Sequence, residues 1–321
     1  MGKEIAIVNQ KADYQAASAY LMSLSITGRG SMESSLRLVA RVMGAEDYTQ
    51  VNWASLNAAN VQALVSRIRE MPTERGTARS PNSVHTVLNA LKGVAKAAWR
   101  RHTISTDTWE RIRDLKAPRG SRLPAGRDIA PIERAVLISS AVEDDRAAGI
   151  RDAAIMAMLM ATGMRRAELV ALALEDIELA TGKITIIGKG NKERTSYLGE
   201  ETMEALRDWL QVRGVDAGPL FCAITKGGAL QRDRHMSPTA LHYIIQRRVA
   251  GAGLSKMTAH DFRRTLAGDL LDENIDISTV GEMLGHSDPK TTKRYDRRGE
   301  RAKRRAATHV HVPYKRNENH G

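Results

Sequence analysis

A single cysteine, Cys222, leaves no disulfide partner within a chain of 321 residues and too few thiolates for a cysteine-based zinc site. Such a chain suits a reducing cytoplasm. No hydrophobic run approaches the length of a membrane span, and the opening MGKEIAIVNQKAD has neither the apolar stretch nor the cleavage site of an export signal. Acidic side chains are the short side of the charge balance, with 37 Asp and Glu against 49 Lys and Arg and a net charge of +12. That surplus favours a polyanion such as nucleic acid over an acidic small molecule, and it selects a class of partner without selecting a reaction. Internal repeats and low-complexity segments are missing, and so is the G-x-x-x-x-G-K-[ST] spacing of a nucleotide-phosphate loop, which removes an ATP-binding reading.

What is present is mostly helical periodicity, in a chain long enough for two domains. Residues 1–116 read as a helical domain whose clearest element starts at Ser80-Pro81, an N-cap followed by proline at the first helical position. Val84, Val87, Leu88, Leu91, Val94, Ala95 and Ala98 form its apolar stripe, and Asn82, His85, Asn89, Lys92, Lys96 and Arg100 the opposite face. That polar face is either simply solvated or a major-groove reader, since Asn and His bond base edges while Lys and Arg meet phosphates. Arg37 and Arg41 mark a second candidate DNA-facing helix. Residues 117–128, KAPRGSRLPAGR without the first lysine, lose periodicity, carry no acid before Asp128, and read as a basic linker. The second domain, residues 129–300, opens with two helices and continues with strands at 183–187 and 194–198 joined by a turn that presents Lys189 between two glycines. A helix over 200–213 follows, then Gly-rich irregular sequence to Met236, then a helix capped by Ser237-Pro238. Residues 301–321 form a basic tail in which Ala302, Ala306, Ala307 and Val310 line one side of a short helix. His309 and His311 lack further ligands and read as a tail feature, not a metal site.

The chemistry gathers between Thr258 and Arg298. His260 and Arg263, three residues apart, leave one helix face together, and His286 follows a Leu-Gly helix end. Tyr295 is flanked by Lys293, Arg294, Arg297 and Arg298. A phenol becomes an oxygen nucleophile only where positive charge stabilises both its anion and its target, which points to a phosphate. Metal-free cleavage of a phosphodiester needs cations for the non-bridging oxygens, a nucleophile and an acid for the leaving alkoxide. Arg165 and Arg263 supply forked donors, Lys189 an acid, His260 and His286 donors or proton carriers, and Tyr295 the attacking oxygen.

These motifs resemble those of the tyrosine recombinases, the phage-integrase family. Its first box is matched by ATGMRRAEL, its hairpin lysine by GKGNKER, its second box by HDFRRT and its last by LGHSDPKTTKRY. Position by position, the resemblance assigns the two arginines to Arg165 and Arg263, the lysine to Lys189, the histidines to His260 and His286, the nucleophile to Tyr295 and the supporting carboxylate to Glu168. Arg166 and Arg264 read as structural neighbours. The match is dense over residues 161–299, whereas the first domain resembles the helical core-binding domain in pattern and place only.

The resemblance implies a mainly α fold, with a helical core-binding domain and a mostly helical catalytic domain carrying a small β-sheet, closing as a clamp on double-stranded DNA. It further implies four subunits on two sites and exchange of single strands through a 3′-phosphotyrosine and a Holliday junction. Replacing a phosphodiester by a phosphotyrosine roughly conserves bond energy, so no cofactor, metal or ATP is expected. Residues 1–12 are too few for an arm-site domain, which predicts a simple recombination site. A type IB topoisomerase, a hairpin telomere resolvase and a non-catalytic DNA-binding regulator are the competing readings. Packing of the tail into a neighbouring protomer competes with packing in cis and with phosphate gripping.

Overall fold

The computed structural model describes residues 15–74, 76–117, 126–188, 191–286, 289–293, 295, 296, 307, 309 and 310. The chain divides into two compact units, Met1–Leu123 and Pro124–Gly321.

The first unit is built from α1 (Gln15–Met22), α2 (Ile26–Val42), α3 (Ala58–Glu70), α4 (Pro81–Arg100) and α5 (Thr106–Asp114). Helix α4 is its axis. Ser80 Oγ accepts the Ser83 N–H at 3.1 Å, Pro81 occupies the first turn, and the whole predicted stripe from Val84 to Ala98 is buried. A side chain at Gly93 would stand 2.2 Å from the Tyr20 ring, so glycine there lets α1 lie directly on α4. Trp53, Leu36, Leu64, Ile68 and Ile112 complete the core.

The second unit packs α6 (Pro131–Val142), α9 (Glu200–Arg213) and α11 (Ala259–Asp272) around α7 (Ala147–Thr162). Helix α7 is apolar on nearly every side, as a central helix must be. Between α8 (Arg166–Ala171) and α9 runs an antiparallel sheet in the order β1 (Ile177–Glu178), β2 (Lys183–Ile187), β3 (Glu193–Tyr197). Ile184 and Ile186 turn into the core, and the hairpin register runs from Lys183 opposite Tyr197 to Ile187 opposite Glu193. The second strand therefore starts and ends one residue before the predicted 194–198.

The stretch before Met236, predicted as irregular, contains a second antiparallel pair, β4 (Cys222–Ile224) and β5 (Leu230–His235). One small sheet is thus corrected to two. Helix α10 (Pro238–Gly251) follows the Ser237 cap, and α12 (Ile277–Leu284) and α13 (Pro289–Lys293) come after α11. The described end of the basic linker is anchored to this unit. Arg127 donates its backbone N–H to Asp261 at 2.9 Å and its guanidinium to Ser255 O and Glu133. No described helix is long and apolar enough to cross a membrane.

Candidate active site

Three helix ends build the site. At the first, α7 stops at Gly163, whose left-handed φ of 57° turns the chain, and Arg165 takes an extended conformation as the N-cap of α8. Glu168, three residues on, accepts the Arg165 N–H at 3.0 Å and Arg165 Nη1 at 2.6 Å. Arg194 on β3 donates Nη2 to the same carboxylate at 2.8 Å. Burial pushes the Glu168 carboxyl up, yet the bonds from Arg194 and Arg165 outweigh it and hold its pKa below the ordinary value.

At the second, α11 begins at Thr258, whose N–H and hydroxyl both reach Asp261 Oδ2, at 2.7 and 2.8 Å. Capped in this way, the helix carries Arg263 into the interior. Its Nη1 donates to Gly163 O at 2.9 Å and its Nη2 to Leu284 O at 2.5 Å, both carbonyls left open by the ends of α7 and α12. Burial, then the neighbouring Arg165, pushes Arg263 down to about 10, so it stays a cation at neutral pH.

The third end is that of α12. Gly285 closes it with φ 67°, the His286 N–H returns to Gly281 O at 2.8 Å, and the His286 ring is left beside α13 with Nδ1 2.8 Å from the Thr292 hydroxyl. Thr292 is fully buried. Tyr295 packs on Leu284, Val280, Ala267 and Leu271, only 6% exposed. Its ring lies 5.6 Å from that of His286 and nearly parallel to it, and its Oη is 3.5 Å from His260 Nε2. Burial, followed by the arginine cluster, lowers His286 to about 4. His260 is lowered too, by desolvation and the charges of Arg263, Arg264 and Arg165, against an opposing pull from Asp261. Both imidazoles are therefore neutral at physiological pH.

Of the residues singled out in the sequence, Arg165, Glu168, His260, Arg263, His286 and Tyr295 come together here. Arg165 Nη2 also lies 3.4 Å from Gly285 O, beside the turn that carries His286. Lys189 lies outside the described residues, between β2 and β3. Arg194, Asp261 and Thr292 went unremarked. The signal for Arg194 was its strand parity: it shares the inward side of β3 with the buried Ser196, where a cation requires a counter-ion.

The side chains of the first unit expected to face nucleic acid differ in their surroundings. Lys92 is not on an open face, because its Nζ donates at 2.6 Å to both Arg113 O and Leu115 O, capping the end of α5. Arg37 is held by Glu33 at 2.9 Å and Asp47 at 3.0 Å and lies over the Tyr48 ring, so a phosphate has to compete with two carboxylates for it. Arg41 stands 4.0 Å from Glu74 and is well exposed, and Asn82, His85, Asn89 and Lys96 are exposed along α4. Among the described residues no group of three or more His, Cys, Asp or Glu is arranged to hold a metal ion.

Residues 133–301 match the Phage integrase family. Tyrosine recombinase XerC of Pseudomonas fluorescens is 33% identical over 250 residues, covering 76% of this chain and 77% of that protein. The XerC of Pseudomonas aeruginosa strain LESB58 is 30% identical over 294 residues, 89% of each. Among solved structures, the XerH site-specific recombinase bound to palindromic difH substrate, in a post-cleavage complex, superposes with a TM-score of 0.65 at 18% identity, over 96% of this chain and 90% of that one. A lambda integrase dimer bound to a COC′ core site gives 0.62 at 14% identity, over 88% and 76%. At such identities the two superpositions speak for the fold, and the XerC sequences and family match speak for kinship. Together they make the chain a member of the phage integrase family, a tyrosine-type site-specific recombinase.

Proposed function

We propose that this recombinase cuts and rejoins double-stranded DNA through a covalent 3′-phosphotyrosine on Tyr295, passes through a Holliday junction, and uses neither metal nor ATP. The observation that carries the proposal is the placement of Tyr295 Oη 3.5 Å from His260 Nε2, beside the His286 ring and Arg263. Neutral His260 takes the phenol proton as Oη bonds to phosphorus and the bond to the 5′ oxygen breaks. Lys189 gives its proton to that departing oxygen. Arg165 and Arg263 hold the non-bridging oxygens, each with N–H groups beyond those spent on the protein. With the Thr292 hydroxyl donating to Nδ1, the neutral His286 ring keeps its hydrogen on Nε2, available to the phosphate. Rejoining reverses these steps with the 5′ hydroxyl of the other strand as attacker. Kinship with proteins named tyrosine recombinase favours recombination over relaxation by a type IB topoisomerase.

Four copies on two sites complete the proposal, each reading duplex DNA with exposed side chains such as Arg41, Asn82, His85, Asn89 and Lys96. The chemical core is tested with a duplex nicked beside the scissile phosphate, so that the cut strand diffuses away and traps the adduct. Wild-type protein should become covalently attached with EDTA present, and Tyr295→Phe should bind the duplex equally and stay free. An adduct formed by Tyr295→Phe would assign the nucleophile to another residue.

A further inference from the structure

Arg194 has no part in the mechanism above, although it contacts Glu168 and the end of α12 that delivers His286. Its Nη2 bonds Glu168, the partner of Arg165, and its Nε donates at 3.1 Å to Met283 O, an open carbonyl at the end of α12. A side chain on Gly285 would stand 3.0 Å from Arg194 Cδ and Nη1. That glycine is the turn that delivers His286. On the other side, a side chain on Gly188, at the end of β2, would lie 3.5 Å from Arg194 Nη1 and 3.4 Å from Glu168 Oε1. The Arg194 side chain is 10% exposed and that of Glu168 4%, whereas Arg165 is 43% exposed. The carboxylate thus has an inner guanidinium partner and an outer one.

The division of Glu168 between them has a consequence for charge. A carboxylate facing one arginine accepts a fork on both oxygens, which fixes the guanidinium and neutralises it. Here Oε2 is taken by Arg194 and the Arg165 backbone, and Arg165 Nη1 reaches only Oε1. We propose that Arg194 is a positioning residue for strand cleavage, occupying Glu168 and the end of α12 so that Arg165 and His286 are presented together and the pocket keeps an uncompensated positive charge toward the scissile phosphate. A buried ion pair with a purely architectural role predicts lost stability and no preference among substrates. A positioning role predicts a loss confined to the charged step.

The inference rests on the phosphotyrosine reading, and the same nicked duplex separates the two. Single-turnover cleavage is measured for the wild type, Arg194→Met, Arg194→Lys, Glu168→Gln and the double variant Arg194→Met/Glu168→Gln. Two duplexes are compared, one with the natural phosphate and one with a methylphosphonate, which bears no charge, at the scissile position. Arg194→Met should hold a half-site within about twofold of wild type yet cleave the phosphate on the order of a hundredfold more slowly, the scale of a misplaced catalytic group. On the methylphosphonate its loss should shrink to less than about tenfold, because less charge needs stabilising. In the Glu168→Gln background the further effect of Arg194→Met should be small, as expected for residues acting in one chain of contacts. Arg194→Lys should recover part of the rate by pairing with Glu168. Wild-type cleavage by Arg194→Met, or an equal loss on the two duplexes, overturns the positioning role. An absent Tyr295 adduct in the wild-type protein would instead overturn the reading on which it rests.

Discussion

His286 sits where burial and four neighbouring cationic or titratable groups act in one direction, and its pKa falls from an ordinary 6.5 to about 4. The consequence is measurable in the protein without DNA. Between those values the folded ring is neutral while the unfolded one binds a proton, so protons favour unfolding there. Stability from this residue is complete above about pH 6.5 and is lost as the pH falls toward 4. Thermal melting followed from pH 7.5 to 4 should therefore show a falling midpoint, with a clearly shallower slope for His286→Gln. The slope should not vanish in that variant, because His260 is lowered as well. Asp144, held down by Arg146 and Arg248, contributes its share only at lower pH. An identical slope in the wild type and His286→Gln would mean that the ring is not desolvated in solution. The neutral state also fits the proposed chemistry, in which the imidazole keeps one hydrogen for a phosphate while Nδ1 faces the Thr292 hydroxyl.

Helix ends set the geometry at the scale of elements, and the turn after α7 shows how little freedom they have. Gly163 combines φ 57° with a position where a Cβ would lie 3.2 Å from Arg263 Cα and 2.9 Å from Leu284 Cδ2, while its carbonyl accepts Arg263 Nη1. Gly163→Ala should cost about 1–2 kcal/mol from the left-handed backbone alone. It should slow cleavage more than that loss explains by shifting α11 away from α7, which denaturant unfolding and the nicked-duplex assay measure on the same sample. Cleavage at the wild-type rate in a destabilised but folded variant would show that the α7–α11 spacing is not critical. The motif residues and their helix ends were legible in sequence because caps, glycine stops and i, i+3 spacing are local. The contacts that cross the fold were not. Arg194 meets Glu168 26 positions away and Met283 89 positions away, and Lys92 meets the end of α5 21 and 23 positions on. A helical wheel marks Lys92 as polar without showing which carbonyls it will cap. The β4–β5 pair escaped for another reason: Leu230–His235 is largely exposed along its length, so it has no buried face and no apolar alternation to reveal it.

At the scale of the whole molecule, the proposed assembly of four copies on two sites needs a link between one copy and the next. A net charge of +12 explains attraction to DNA, which weakens with salt in proportion to the phosphates neutralised, but repulsion between like-charged copies opposes assembly. In the proposed assembly a protein–protein contact would offset it. The tail is the segment proposed for that contact. Residues 301–306, 308 and 311–321 lie outside the described residues; of those described, Ala307 is exposed and Val310 is 66% exposed. A stripe this short does not fold alone and gains helicity by docking. In the proposed assembly, head-to-tail docking of each tail into the next protomer would be a heterologous contact that closes into a ring and ties the tail following Tyr295 to assembly. Deleting residues 301–321 should leave one copy able to occupy a half-site with unchanged salt dependence, while cooperative filling of the full site and recombination are lost. Gel-shift titrations on half and full sites at several salt concentrations measure both. Cooperativity retained by the truncated protein would exclude docking in trans. Weaker half-site binding with a shallower salt slope would assign the tail to the DNA phosphates instead, since each phosphate contact removed lowers the slope by about one.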